Sequence, residues 1–173
     1  LLGGGVSRST AKDLQNELTA SGLPVMTTWN GTDRIDASHP QYLGRPNTWG
    51  QRAANLLVAQ ADLIIAVGTR LGMQQTGFNW QQFGRNAFVV HVDIDRAELD
   101  KGHPKIDLPV CADAGDFLSR LLPEIRGNWE SWLSYAKEVR SALPLNDPTN
   151  ETGDGFVSPY DFYADLVRLS TPE

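Results

Sequence analysis

The chain has 173 residues, 40% of them hydrophobic and 21% charged, with 15 lysines and arginines against 21 acids and a formal charge of −6. This length supports one compact domain with a real core and an appendage. The acidic balance, without a basic stripe, excludes nucleic acid and anionic membrane as expected partners, and no apolar run approaches the roughly 20 residues of a membrane span.

Leu1-Leu2 reads as the last half of a buried strand, with no initiator methionine and no signal-peptide pattern. It runs into Gly3-Gly4-Gly5, where backbone must approach something closely. Glycine amides there either face a phosphate or make a tight strand-to-helix turn, since the run is not a full G-x-G-x-x-G fingerprint. A helix follows, capped by Ser9 or Thr10, with Ala11, Leu14 and Leu18 on one face and Gly22 at its C-terminus. Pro24 to Thr28 is a short strand. Trp29 to Trp49 has irregular character, and stretches this long are usually functional or interface segments. Trp29 and Trp49 are either exposed for a ligand or partner, or lids on the core.

Gly50 to Ala61 is helical by the spacing of Ala53, Ala54, Leu57 and Val58. Leu63-Ile64-Ile65-Ala66-Val67 is the strongest buried-strand signal, and it ends in Gly68-Thr69-Arg70. Arg70 offers a planar cation for a phosphate or a ring, or else pairs with a nearby carboxylate. Gly72 to Gly84 is an amide-rich loop. Val89-Val90-His91-Val92 is a β-branched run of the kind buried on both faces of a parallel sheet. It ends in Asp93-Ile94-Asp95, at the sheet edge where ligands bind in open α/β folds. These carboxylates either accept hydrogen bonds from a ribose or adenine, or cap the next helix. His91 reads as a hydrogen-bonded core histidine; His39 and His103 precede prolines in loops, and no metal-ligand spacing is present.

Arg96 to Lys101 is a helical turn. Asp107 to Asp113 holds a strand that again ends in a carboxylate. Its Cys111 is the only cysteine, which excludes an internal disulfide and fits a reducing cytoplasm. Its apolar neighbours mark it as a buried structural thiol. Gly115 to Ile125 and Asn128 to Leu143 are amphipathic helices. Leu145 to Ser158 is a linker by composition. Pro159, with Tyr160, Tyr163, Leu166 and Val167 at helical spacing, starts a helix whose apolar face has little to bury against. Both termini look like cuts in a larger protein.

Strands alternating with helices imply a parallel sheet, doubly wound and Rossmann-like, with helices on both faces and a C-terminal helical linker. Converging strand ends would supply phosphate-facing amides, a cation and ribose-facing carboxylates, the set an ADP-containing cofactor needs.

The patterns Leu-Gly-Gly-Gly, Pro-Val-x-Thr-Thr-Trp-x-Gly, Ala-Asp-Leu-Ile-Ile-x-x-Gly-Thr-Arg-Leu and Val-Asp-Ile-Asp-x-x-Glu-Leu resemble the central domain of thiamine-diphosphate-dependent enzymes, most of all the acetolactate synthase group. The resemblance implies a central domain over residues 1–127, a linker helix and loop over 128–158, and over 159–173 the start of the domain that binds the thiamine pyrophosphate. It implies a parent enzyme that decarboxylates a 2-keto acid and often ligates the product. Thiamine diphosphate and Mg²⁺ would be bound by the flanking domains of the same chain, and the intact enzyme would be a homodimer or homotetramer. No catalytic residue is expected in this chain, nor turnover by it alone. FAD, without net redox chemistry, or ADP would occupy this domain, lined by motif position by Gly4, Gly5, Gly68, Thr69, Arg70, Asp93, Ile94, Asp95 and Asp113. The Gly44-Arg45-Pro46-Asn47 loop aligns with a segment that approaches the flavin, but departs from its small-residue character at Arg45 and Pro46. Gly153-Asp154-Gly155 looks like the start of the family's magnesium motif, yet no asparagine follows it, so it reads as linker. A free-standing FAD- or NAD-binding module is the alternative.

Overall fold

The computed structural model describes residues 1–170. Three strands, β3 (Leu63–Val67), β4 (Phe88–Asp93) and β5 (Leu108–Cys111), pair in parallel in that order. Two shorter ones, β1 (Val25–Met26) and β2 (Tyr42–Gly44), also pair in parallel. The opening segment joins the two groups. Leu2 bridges Thr27 on one side and Val67 on the other, both in parallel. Its amide donates to the Met26 carbonyl and the Val67 amide donates to the Leu1 carbonyl, each at 2.9 Å. The spatial order is therefore β2, β1, opening segment, β3, β4, β5. Counted along the chain this is third, second, first, fourth, fifth, sixth, the order of doubly wound dinucleotide-binding sheets. Strand order reverses between the opening segment and β3.

Alternation along β4 assigns its side chains to two cores. Val90 and Val92 join a cluster with Leu2, Val6, Leu18, Val67, Leu118 and Leu122. Its helices are α1 (Arg8–Asp13), α2 (Gln15–Ser21) and, from further along the chain, a helix over Ala114–Leu121. Val89 instead packs with Ile64, Ala66, Leu71 and Ala87 on the other face. Burial on both faces explains why β4 lacks a polar alternation. The expected single helix after the glycines is broken at Leu14, and its cap is Ser7, whose hydroxyl accepts from the Thr10 amide at 3.0 Å. Gly22 ends the helix in the left-handed region, as expected.

Helix α3 (Arg52–Gln60) covers β2 through Leu57, which is fully buried with Leu43, Ala136 and Val139. Two short helices follow in chain order, α4 (Met73–Thr76) and α5 (Arg96–Asp100), and the helix over Ala114–Leu121 is α6. α7 (Glu130–Ala142) lies in the expected linker, yet it packs on α3 and β2. Arg140 stacks over the Tyr42 ring at 6.0 Å and donates to the Tyr42 carbonyl at 2.6 Å. The Thr149 amide and hydroxyl, and then the Arg52 guanidinium at 3.0 Å, lower the Asp147 pKa to about 2. α8 (Pro159–Leu169) buries none of its residues, and Tyr160, Phe162, Tyr163, Leu166 and Val167 face solvent. Residues 171–173 of the expected 159–173 segment lie outside the described residues. Among the described residues no helix is long and apolar enough to cross a membrane.

Two expectations are corrected. Tyr42–Gly44 is a fully buried strand inside the stretch expected to be irregular. Three residues give too short a period-two signal, and the strand exists because β1 supplies its partner. Cys111 is exposed rather than buried. It lies on the edge strand β5, where its apolar neighbours Leu108 and Pro109 are exposed as well.

Candidate functional site

The reversal of strand order places two loops side by side at the carboxyl edge of the sheet, where such folds bind ligands. One is Gly3-Gly4-Gly5, the other Gly68-Thr69-Arg70. They are packed backbone to backbone. The Gly5 amide donates to the Gly68 carbonyl at 2.8 Å and the Gly68 amide to the Val92 carbonyl at 2.9 Å. Gly68 has a positive φ of 61°, and a Cβ there would meet the Gly5 Cα at 2.9 Å. A Cβ on Gly3 would stand 2.2 Å from the Gly68 carbonyl oxygen. The close approach inferred from the glycines is thus first of all an approach of one loop to the other. Gly4 and Gly5 remain on the cavity wall.

That cavity, about 660 Å³, opens between these loops and two others. Gly4, Gly5, Gly68, Thr69 and Arg70 line it, joined by Thr28, Trp29 and Asn30 after β1, by Asn47, and by Leu71 to Gln75 leading into α4. Its volume lies within the range of small-molecule sites. The amides of Gly4, Thr69 and Arg70 donate to no backbone carbonyl among the described residues. Among the described residues, Arg70 is the only charged one on the lining. Its side chain is 80% exposed, and its Nε stands 3.6 Å from Glu98, which is held closer by Lys101 at 2.9 Å. A pair that long and exposed contributes little, so the guanidinium is available to a ligand.

The outer wall is stapled together. Thr48 donates its amide to the Gln74 carbonyl at 2.8 Å, and Gln75 Nε2 donates to the Pro46 carbonyl at 2.5 Å. Leu71 holds a positive φ of 46° while its side chain is almost wholly buried. Left-handed backbone at a non-glycine residue is strained and concentrates at functional sites. Trp29 and Trp49 stack at 6.2 Å and both are more than half exposed, so they are not lids on the core.

The carboxylates are placed differently. Asp95 caps α5, accepting from the Ala97 amide at 2.9 Å. Asp93 accepts from the Asp95 amide at 2.9 Å, and Asp113 caps α6 through the amides of Gly115 and Asp116. Ile94 projects into solvent. None of Asp93, Ile94, Asp95 and Asp113 lines the cavity. His91 is fully buried, with Nε2 at 2.7 Å from the Thr69 carbonyl, and burial lowers its pKa. It is a core histidine that fixes the loop floor, as read from the sequence.

Residues 1–121 match the family model described as thiamine pyrophosphate enzyme, central domain. The chain belongs to this family. The chain is 33% identical over 180 residues to an acetolactate synthase of Mycobacterium avium, which covers 99% of this chain and 28% of that protein. A probable acetolactate synthase large subunit of Methanocaldococcus jannaschii is 33% identical over 175 residues, covering 98% of this chain and 29% of that protein. The acetolactate synthase large subunit of Lactococcus lactis is 32% identical over 154 residues, covering 87% and 26%. The chain therefore spans less than a third of the length of these relatives. The doubly wound central-domain fold read from the sequence stands.

Several lining residues of this central domain were not among the predicted ones. Trp29 and Asn47 fell in the long irregular stretch already marked as functional. Asn30 lies in that stretch as well; Thr28 and Met73 to Gln75 carry no local signal, and only the loop contacts bring them to the cavity.

Proposed function

We propose that this chain is the middle domain of a thiamine-diphosphate-dependent enzyme that resembles acetolactate synthase. In that parent, Mg²⁺ and thiamine diphosphate belong to the flanking domains, and the reaction is decarboxylation of a 2-keto acid with carbon–carbon ligation. The intact enzyme is a cytoplasmic homodimer or homotetramer. This domain holds the nucleotide half of FAD or ADP and supplies no catalytic residue. The observation that carries the nucleotide role is the cavity at the reversal of strand order, with the Gly4, Thr69 and Arg70 amides lacking backbone acceptors among the described residues and an exposed arginine held only by a long pair to Glu98.

The residues fit such a group. The Gly4 and Thr69 amides would face the phosphates, with Gly5 leaving room on the wall and Arg70 as counter-charge. Bound there, the nucleotide would stand apart from the bond-breaking; the chain's residues bind and orient it. Gly68 belongs to this set as the residue that lets the two loops meet. Asp93, Ile94, Asp95 and Asp113 would approach the ribose and adenine from the neighbouring strand ends.

Thermal unfolding with FAD, ADP or NAD tests this. A ligand at about 100 times its Kd stabilises by about 2.7 kcal/mol, roughly a 5–10 °C rise for a chain of this size. A shift with FAD or ADP supports the reading; no shift with any of the three overturns the nucleotide role. Keto-acid decarboxylation by the 173-residue chain alone would overturn the non-catalytic role. A second reading, a purely architectural domain, is favoured by one observation: Asp93, Asp95 and Asp113 already have backbone amides as partners.

A further inference from the structure

We propose that Lys101, which does not line the cavity, is a positioning residue for the site: by holding the Arg70 carbonyl from outside, it turns the Leu71 amide toward the ligand and sets how tightly an anion is bound. The inference rests on the nucleotide reading above and adds control of that site by a residue beyond its walls.

Three consecutive peptide units carry the argument. The carbonyls of Gly68, Thr69 and Arg70 are each held by a donor from a different part of the fold. The Gly5 amide donates to the Gly68 carbonyl at 2.8 Å. His91 on β4 has Nε2 at 2.7 Å from the Thr69 carbonyl; a carbonyl only accepts, so Nε2 carries the hydrogen. The Lys101 ammonium, at the C-terminal end of α5, donates to the Arg70 carbonyl. In a trans peptide the N–H points opposite to the C=O. The amides of these same three units belong to Thr69, Arg70 and Leu71. They point away from the donors that hold their carbonyls, and they donate to no backbone carbonyl among the described residues. All three residues line the cavity, whereas Lys101, His91 and Glu98 do not.

Of the three tethers, Lys101 acts where the loop is under most strain. Leu71, directly after the held carbonyl, has a φ of 46° and a side chain 1% exposed. Backbone of this kind persists only where its surroundings over-determine it. The buried Leu71 side chain fixes one side of that residue and the Lys101 bond fixes the peptide on the other. The ammonium is itself anchored, by Glu98 at 2.9 Å. Glu98 lies farther from Arg70, at 3.6 Å. One cation therefore holds the Arg70 backbone and engages the carboxylate that would otherwise compete for the Arg70 guanidinium.

The test compares wild type, Lys101→Met and the double variant Glu98→Gln/Lys101→Met as 173-residue chains, titrated with ADP and inorganic pyrophosphate by calorimetry well below each Tm. Methionine keeps the reach of the side chain and removes its donors. Loss of one aimed amide, a hydrogen bond to a charged group, predicts about tenfold weaker binding of both ligands. The loss persists in the double variant, and the ratio of wild type to variant is the same in low and high salt. Recovery in the double variant would mean that Lys101 acts only by restraining Glu98. A ratio that vanishes in high salt would mean that its charge acts at a distance. Either result overturns the proposal. Amide nitrogen–proton spectra supply a signature that lost stability alone would not produce. On adding pyrophosphate, the Leu71 resonance shifts in wild type and not in Lys101→Met, while that of Thr69, whose peptide is tethered through Gly5, shifts in both. Equal Leu71 shifts in the two proteins overturn the proposal. Should Lys101→Met not fold, the wild-type Arg70 and Leu71 resonances decide in the same titration, a shift supporting the tethered amides and no shift removing them. Wild-type binding with unchanged affinity in Lys101→Met sinks Lys101 alone; absence of wild-type binding sinks the nucleotide reading with it.

Discussion

Gly5 and Gly68 touch through their backbones. A Cβ built on Gly5 would lie 2.8 Å from the Gly68 Cα, and one on Gly68 would lie 2.9 Å from the Gly5 Cα. The opening segment and β3 diverge at this point because the strand order reverses. Only two residues without side chains let the loops stay in contact while the cavity opens beside them.

Gly68→Ala should therefore cost more than a left-handed glycine elsewhere. Gly102 also has a positive φ, 78°, but a Cβ there meets nothing within 4 Å. Gly102→Ala should cost about 1 kcal/mol for backbone conformation alone. Gly68→Ala adds a clash of backbone on backbone and should cost at least about 2 kcal/mol more. Urea unfolding of the two variants measures the difference; equal losses would mean the loops separate without penalty.

His91 should make the fold sensitive to mild acid. Burial lowers its pKa, opposed by the Thr69 carbonyl and by Asp93 and Glu98, and reinforced by Lys101. Its unfolded value is about 6.5. As pH falls through that value the unfolded chain takes up the proton first, so this group's contribution is intact above it and is lost progressively below it. The slope is at most about 1.4 kcal/mol per pH unit. Thermal melts of wild type and His91→Gln from pH 7.5 to 5 should converge toward acid. Parallel curves would show that His91 does not carry the dependence.

Leu57 tests whether α7 is a structural layer or a loose linker. It is fully buried between β2 and α7, against Leu43, Ala136 and Val139. Leu57→Ala should destabilise by about 2–5 kcal/mol if that core is closed. A loss below 1 kcal/mol in chemical denaturation would mean that α7 moves in to fill the space, or does not hold it.

Asp95 separates capping from ligand contact. Asp95→Ala loses the bond to the Ala97 amide and should cost about 0.5–2 kcal/mol. Asp95→Asn keeps an acceptor for that amide, so its Tm should match wild type while its affinity for ADP falls severalfold. Unchanged affinity in Asp95→Asn would leave Asp95 as a cap only.

Much of this was legible in the chain itself. β3 and β4 announce themselves by apolar runs rich in β-branched residues, because a strand covered on both faces has no solvent side to make polar. The helix positions of Leu57 and Leu118 follow from spacing for the same reason. Gly68-Thr69-Arg70 and Gly4-Gly5 stand at strand ends, the place where a ligand site is expected, and they line the cavity. Asp93, Asp95 and Asp113 show the limit of that logic: a carboxylate at a strand end serves a ligand or the next helix, and the same residue type at the same spacing fits both. The backbone positions of Ala97 and Gly115, not the sequence, supplied amides at hydrogen-bonding distance. β2 escaped detection because three residues acquire strand character only from a partner far away in the chain. Asn47 escaped notice because Asn55 and Trp49, which engage its backbone and its Oδ1, are brought to it only by the fold. What the sequence by itself determined was the alternation of buried strands and amphipathic helices, and with it the doubly wound class, since those patterns are set by local periodicity. What only the tertiary structure decided was which strand ends lie side by side. Loop contacts between segments 26 to 63 residues apart close the cavity, and no local period encodes them.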